Sequence, residues 1–173
     1  MDYFLLKQDE RYYNTPHIKD LFKKIDKRDL TLVRESNISD TLLYIKHDDR
    51  NECLDILDTQ IFLVSEEIKN ILEKYNANVV FKMIVLVDFK IFKQYIYYLP
   101  IFEEIESLND KSEFNLNKTI VKKIVLDSTK VKDKKMFKIK ESDKTLIVVR
   151  LDVAESLLRR NFKGISLKRL EVL

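Results

Sequence analysis

One glycine, Gly164, serves the whole chain of 173 residues. Glycine takes positive φ without steric cost, and loops that wrap a phosphate, G-x-G-x-x-G or the Walker type, need several glycines at fixed spacing. The familiar nucleotide-binding routes are therefore closed. Gly164 stands directly behind the amphipathic run Leu157-Leu158-Arg159-Arg160-Asn161-Phe162-Lys163, where it reads as a helix stop.

The length suits one domain, 1–173, because two smaller ones would each be poorly covered. With 45% apolar and 35% charged residues, and eighteen Tyr and Phe, the chain has the means to bury a core. The apolar stretches 79–89 and 95–102 are interrupted by Lys82, Asp88 and Pro100, short of the roughly 18–20 residues that cross a bilayer. No membrane span is expected. The start, Met1-Asp2-Tyr3-Phe4-Leu5-Leu6-Lys7, has an acid where a signal peptide carries basic residues, and Cys53 has no second cysteine to pair with. A cytoplasmic location follows as the expectation.

The net charge of +3 is unevenly spread. Residues 1–117 carry 16 basic and 22 acidic groups, whereas residues 118–173 carry 16 basic and 7 acidic, giving −6 and +9. Such asymmetry is produced either by a solvated face or by a partner chosen electrostatically.

Periodicity gives an α+β reading. Residues 2–7 form an opening strand. Thr15 and Pro16 start a helix whose stripe is Ile18, Leu21, Phe22 and Ile25, with basic residues through Arg28 in its last turn. Residues 30–33 and 41–45 read as short strands. Ser65 caps a helix with Glu66 and Glu67 in its first turn and Ile68, Ile71, Leu72 and Tyr75 inward; the link 76–78 and a strand over 79–87 follow. Residues 92–99 are strand-like, 100–108 continue that strand or form a short helix, and 109–117 are a polar link. Strands over 120–126 and 136–140 flank the lysine-rich connection 127–135; Phe137 and Ile139 face inward, Lys138 and Lys140 outward. The last unit has a strand over 146–149, then Asp152 and Glu155 as a capping box, Val153, Ala154, Leu157 and Leu158 inward, and a strand over 165–172. The two strand–helix–strand units align at an offset of 85, Ile68 on Val153, Leu72 on Leu157 and Asn76 on Asn161, which does not separate duplication from shared helix grammar. The expected architecture is a single layered α+β domain, a mixed or mostly antiparallel sheet of about six to eight strands with two or three packed helices.

Candidate chemistry is sparse. His47, beside Asp48 and Asp49, is the one local base for a hydrolase of serine type, but there is no G-x-S-x-G elbow and no serine in a recognisable nucleophile turn. His17 reads as exposed. The run from His47 to Cys53 lacks the separated pairs by which zinc ligands converge, so no metal and no cofactor are expected. Glu103, Glu104 and Glu106 are acids explained by a helix start or by a carboxylate pair in a cleft. Lys118, Lys122, Lys123, Lys130, Lys132, Lys134, Lys135, Lys138 and Lys140 form a candidate phosphate track, but it lacks interleaved exposed aromatics. Nucleic-acid binding through 118–140 stays an alternative.

Three patches carry a family resemblance: residues 56–66 (ILDTQIFLVSE), 98–104 (YLPIFEE) with 111–115 (KSEFN), and 151–160 (LDVAESLLRR) running to Ile165. With the opening Tyr3-Phe4-Leu5-Leu6, they resemble a family of bacterial immunity proteins of polymorphic-toxin systems, typified by a domain first noted in a myxobacterial protein. The resemblance implies a cytoplasmic α+β protein that neutralises a cognate toxin by binding it, without enzymatic activity. Related chains are sometimes labelled serine proteases, which the residues around His47 do not support. Charge then nominates Lys130, Lys132, Lys134 and Lys135 as the face toward an acidic toxin surface, with the anchoring aromatics unlocated.

Overall fold

The computed structural model describes residues 1–75 and 78–173. In chain order the strands are β1 (Tyr3–Gln8), β2 (Thr41–Tyr44), β3 (Ile56–Leu57), β4 (Leu63–Val64), β5 (Val80–Asp88), β6 (Lys93–Ile101), β7 (Glu104–Ile105), β8 (Glu113–Phe114), β9 (Val121–Lys123), β10 (Val125–Leu126), β11 (Met136–Ile139), β12 (Ile147–Arg150), β13 (Ile165–Arg169) and β14 (Glu171–Val172). The helices are α1 (Leu21–Lys24), α2 (Glu66–Glu73) and α3 (Leu151–Leu158). No helix among the described residues is long and apolar enough to cross a membrane.

The architecture is α+β with mixed sheets, but the single sheet of six to eight strands is not what forms. Two five-stranded sheets do, ordered β13-β1-β12-β11-β7 and β2-β5-β6-β4-β3, with two-stranded pairs β10-β14 and β8-β9 beside them. Each large sheet is antiparallel except at one edge, where β7 runs parallel to β11 and β2 parallel to β5. The strands divide into two layers because α2 and α3 bury one apolar cluster between residues of both sheets.

Both sheets are organised around a middle strand. β4 and β5 flank β6 with α2 joining them, and β12 and β13 flank β1 with α3 joining them, all four pairings antiparallel. The two units that align at an offset of 85 thus share a topology, and their helices are also eight residues each at the same offset. The third match, Asn76, lies outside the described residues, as does Ala77 of the link. α2 and α3 meet in one apolar cluster, Ile68, Ile71 and Leu72 against Val153, Ala154 and Leu157, packed between Leu6, Ile147 and Val149 of the first sheet and Ile56 and Val64 of the second. The Tyr75 hydroxyl, just past α2, bonds Ser156 Oγ and the Asp152 carbonyl of α3.

α2 forms as its pattern predicts, with the Ser65 hydroxyl accepting the Ile68 N–H and two glutamates in the first turn. α3 begins two residues earlier than the capping-box spacing implies. Arg150 is the N-cap residue and Asp152 is already helical, its carboxylate gripped by Arg150 at 2.9 and 2.7 Å; Leu158 points outward. Gly164 lies beyond the helix end at Arg159, in the turn into β13 with φ of 80°, rather than at the stop.

The largest departure concerns residues 15–28. Instead of a long helix there is one turn, α1, because Ile18 bridges Ile45 and the Gln60 side chain takes both its N–H (2.6 Å) and its carbonyl (3.0 Å). Ile18, Leu21 and Ile25 are buried nonetheless, by a different path, while Phe22 is exposed. Residues 30–33 are turn rather than strand, and Val33 is fully out in solvent. Residues 100–101 continue β6, the polar link contains β8, and the 120–126 run divides into β9 and β10.

Coverage of the sheet faces sets up the site. In the first sheet, Leu6, Ile147 and Val149 enter the helix-side cluster, while Tyr3, Leu5, Val148, Phe137 and Ile139 enter a second cluster with Leu108, Leu126 and Leu170. The second sheet buries Leu43, Ile84, Leu86, Tyr97 and Leu99 against Ile18, Leu21, Ile25 and Ile38. Its opposite face is only half covered. α2 shields Phe81 and Tyr98, with the Lys69 ammonium 5.6 and 5.0 Å from their ring centres, and stops there.

Candidate functional site

Strand alternation puts Leu42 and Tyr44 of β2 on the uncovered half of that face. Register places Leu42 beside Val85 and Val85 beside Ile96, and Tyr44 beside Val87 and Val87 beside Gln94. The β5–β6 turn, Phe89-Lys90-Ile91-Phe92, extends the patch at one corner. Tyr44 meets Phe89 edge-on at 6.5 Å between ring centres, and Phe89 meets Phe92 at 5.3 Å. Phe92 is 80% exposed, Phe89 67%, Ile96 56% and Tyr44 50%. A run of large apolar side chains left in water beside a well-filled core is the usual mark of a contact surface. Aromatic residues with few rotamers are also the commonest anchors of protein interfaces.

His47 belongs to the scaffold of this corner. Its Nδ1 lies 2.7 Å from Asp88 Oδ2 and its Nε2 3.0 Å from Asp49 Oδ1. Asp88, only 3% exposed, uses its other oxygen to accept the Lys90 N–H at 3.1 Å, fixing the turn that carries Phe89 and Phe92. Burial pushes the Asp88 carboxyl up, but His47 and the N–H groups of Lys90 and Ile91 outweigh it and hold the carboxyl below its ordinary value of 3.8. The imidazole separates two carboxylates, and among the described residues no hydroxyl is a hydrogen-bond partner of it. Among the described residues no group of three metal-ligating side chains converges.

His47→Ala is expected to lower the urea midpoint at pH 7 by leaving a buried carboxylate without its partner. A carboxyl depressed in the folded state contributes stability that is present above its unfolded pKa and lost as pH falls through the folded value. The gap between wild type and variant should therefore narrow once the pH drops below about 3.8, which urea titrations at pH 7 and pH 3 would read.

The lysine-rich connection is pinned rather than free. The Tyr3 hydroxyl sits 2.6 Å from the Val131 carbonyl and 2.9 Å from that of Lys134, and Asp127 caps the turn through Thr129. Lys130 Nζ donates to the Leu108 carbonyl at 2.8 Å, Lys134 is held by both oxygens of Glu103 at 2.8 Å, and Lys135 stands 6.0 Å over the Tyr75 ring. Lys132 is exposed. Along β7 and β11 the pairing continues, Lys138 to Glu104 and Lys140 to Glu106, each at 2.7 Å. Glu103, Glu104 and Glu106 are thereby rungs of an ion-pair ladder, which accounts for those acids without a helix start. Three lysines of the candidate phosphate track, Lys134, Lys138 and Lys140, are neutralised by the carboxylates of residues 103–106.

Cys53 is half-buried, and burial raises its thiol above the usual range, partly offset by hydrogen bonds with Tyr95 and Tyr97. It is placed as a packing residue, poor in thiolate. His17 is exposed as the sequence predicts.

The aromatic corner escapes a reading based on charge. One signal points to it: Phe89, Ile91 and Phe92 occupy a tight turn between two strands, where Gly, Asn, Asp or Pro would be ordinary. No protein-family model matches the chain, and no curated protein matches it either.

Proposed function

We propose that this chain is a non-enzymatic protein-binding module, a cytoplasmic immunity protein that neutralises a cognate toxin by direct contact, with the aromatic corner of the second sheet as its anchor. The observation that carries the reading is the solvent-exposed set Leu42, Tyr44, Phe89, Phe92 and Ile96 on the half-sheet that α2 leaves open. The toxin as partner is suggested by the resemblance of the 56–66, 98–104 and 151–160 segments to immunity proteins. Lys130, Lys132, Lys134 and Lys135 act at most as a rim that speeds encounter, since three of them are engaged within the chain.

Mixing the protein with the secreted toxin encoded by a neighbouring gene should give a complex of standard interface size, roughly 1,200–2,000 Å². The double variant Phe89→Asp with Phe92→Asp should weaken it by at least about 2 kcal/mol, near thirtyfold in Kd. Its unfolding free energy should stay within about 0.5 kcal/mol of wild type because both rings are exposed. Charge reversal at Lys130 and Lys132 should change the association rate by less than about tenfold. Titration calorimetry and stopped-flow mixing measure these effects, and unchanged affinity in the double aspartate variant would refute the assignment of the surface.

A further inference from the structure

Backbone polarity at the rim of this surface carries the argument a step further, on the premise that the surface binds a protein. The Ile45 N–H donates to the Val87 carbonyl at 3.0 Å, so the odd-numbered residues of β2 turn their amides toward β5 and the even-numbered ones turn away. On the outward side, Lys19 N–H donates to the Tyr44 carbonyl and Lys46 N–H to the His17 carbonyl, each at 2.8 Å. The 17–19 segment thus covers the strand's end, and there it stops. Asp20 takes a left-handed conformation, φ 52°, and the chain leaves as α1. The N–H and C=O of Leu42 and the N–H of Tyr44 are left facing outward, and apart from the Ile18–Ile45 bridge at the strand's end no strand or bridge among the described residues pairs with that side.

A cavity of about 260 Å³ lies against the same stretch, lined by Leu42, Tyr44, Phe89, Lys19, Lys24 and neighbouring residues. Its one acid, Asp20, is ion-paired to Lys23 at 2.8 Å, whereas Lys19 and Lys24 form no ion pair among the described residues. Lys46, Lys90 and Lys93, also exposed, continue the basic border. A second copy would bring these lysines against themselves; an acidic segment would neutralise them.

We propose that the outward edge of β2, from Leu42 to Tyr44, receives an extended segment of an acidic protein partner as an additional strand of the second sheet. The strand's open amides supply main-chain bonds, alternate side chains of the guest continue the apolar face of Leu42 and Tyr44, and its acids meet Lys19 and Lys24.

The probe is a blocked seven-residue peptide alternating valine with glutamate, with amide hydrogen exchange as the readout. Saturating peptide should slow exchange at the Leu42 and Tyr44 amides by about tenfold or more. The same peptide with lysine for glutamate should give no protection. Two further versions, N-methylated at one or the other alternate set of amides, should behave oppositely: the set facing β2 abolishes protection and the other retains it. Leu42→Pro, which removes an outward N–H and no bond to β5, should lose protection at Tyr44 with its fold intact, while Leu42→Ala, which trims the side chain and keeps the N–H, should retain it. The proposal is overturned by absence of protection with the acidic peptide, by equal binding of both N-methylated versions, or by concentration-dependent protection without peptide, which would place a second copy on the edge. These failures are separable from that of the surface itself. If the double aspartate variant still loses the toxin while the peptide fails, the aromatic anchor stands and strand addition falls.

Discussion

Gly164→Ala is expected to destabilise the protein by about 3 kcal/mol. The φ of 80° is a region where an L side chain is strained, and a Cβ built there would stand 2.6 Å from Leu54 Cδ1 and 2.8 Å from its Cβ. Leu54 is 2% exposed and has little room to withdraw. Around this turn the Asp9 N–H donates to the Gly164 carbonyl, the Asp55 N–H to the Lys163 carbonyl and the Lys163 N–H to the Asp55 carboxylate, at 2.9, 2.9 and 2.7 Å. The single glycine therefore sits where the end of β1, the start of β13 and the entry to β3 are stitched together. A double-mutant cycle with Leu54→Ala in urea is the test. Removing Leu54 Cδ1, the nearest atom, relieves part of the clash and leaves the contact with Cβ, so the pair should be less destabilised than the sum of the singles, and strict additivity would contradict the steric account.

Phe137→Ala should cost about 4 kcal/mol. The ring is fully buried between Tyr3, Leu126, Val131 and Val148, with its centre 6.0 Å from that of Tyr3 in an edge-on arrangement. Losing it leaves a cavity and also loosens the ring whose hydroxyl anchors the 131–134 turn. Phe137→Leu should cost less than about 1.5 kcal/mol, because a volume-conserving apolar swap refills most of the space. Equal costs for the two variants in urea denaturation would show that the site collapses around any residue and that ring packing is not what stabilises it.

What could be read from the chain depended on whether the governing interaction was local. The start of α2 was legible because its cap, its acidic first turn and its Ile68, Ile71, Leu72 stripe lie within eight residues, whereas the helix ends at Glu73, before the Tyr75 that its stripe included. β11 was legible because Phe137 and Ile139 alternate with Lys138 and Lys140. The helix expected over 15–28 failed for the opposite reason. Its spacing was sound, yet Ile45 and Gln60, distant in sequence, captured Ile18 first. The partition into two sheets was hidden likewise, since β1 pairs with β12 and β13 from the far end of the chain. At the surface, charge drew attention to Lys130–Lys135, but whether a lysine is free depends on the strand beside it. Lys134, Lys138 and Lys140 face Glu103, Glu104 and Glu106 only after β7 lies along β11. The turn Phe89-Lys90-Ile91-Phe92 was the one local sign of the aromatic corner, whereas the exposure of Leu42, Tyr44 and Ile96 depends on where α2 ends over the sheet, a matter of packing.

The two strand–helix–strand units differ in when their middle strand leaves the ribosome. β6 follows β4, α2 and β5 directly, so that unit has all of its members once residue 101 has emerged. β1 is made before any of its partners, because its two neighbours are β12 and β13, so its hydrophobic length must wait unpaired until residues 147–169 have emerged. The two units are thus asymmetric in time although they match in topology: one gathers its members from neighbouring chain, and the other closes only when β12 and β13 come back to β1.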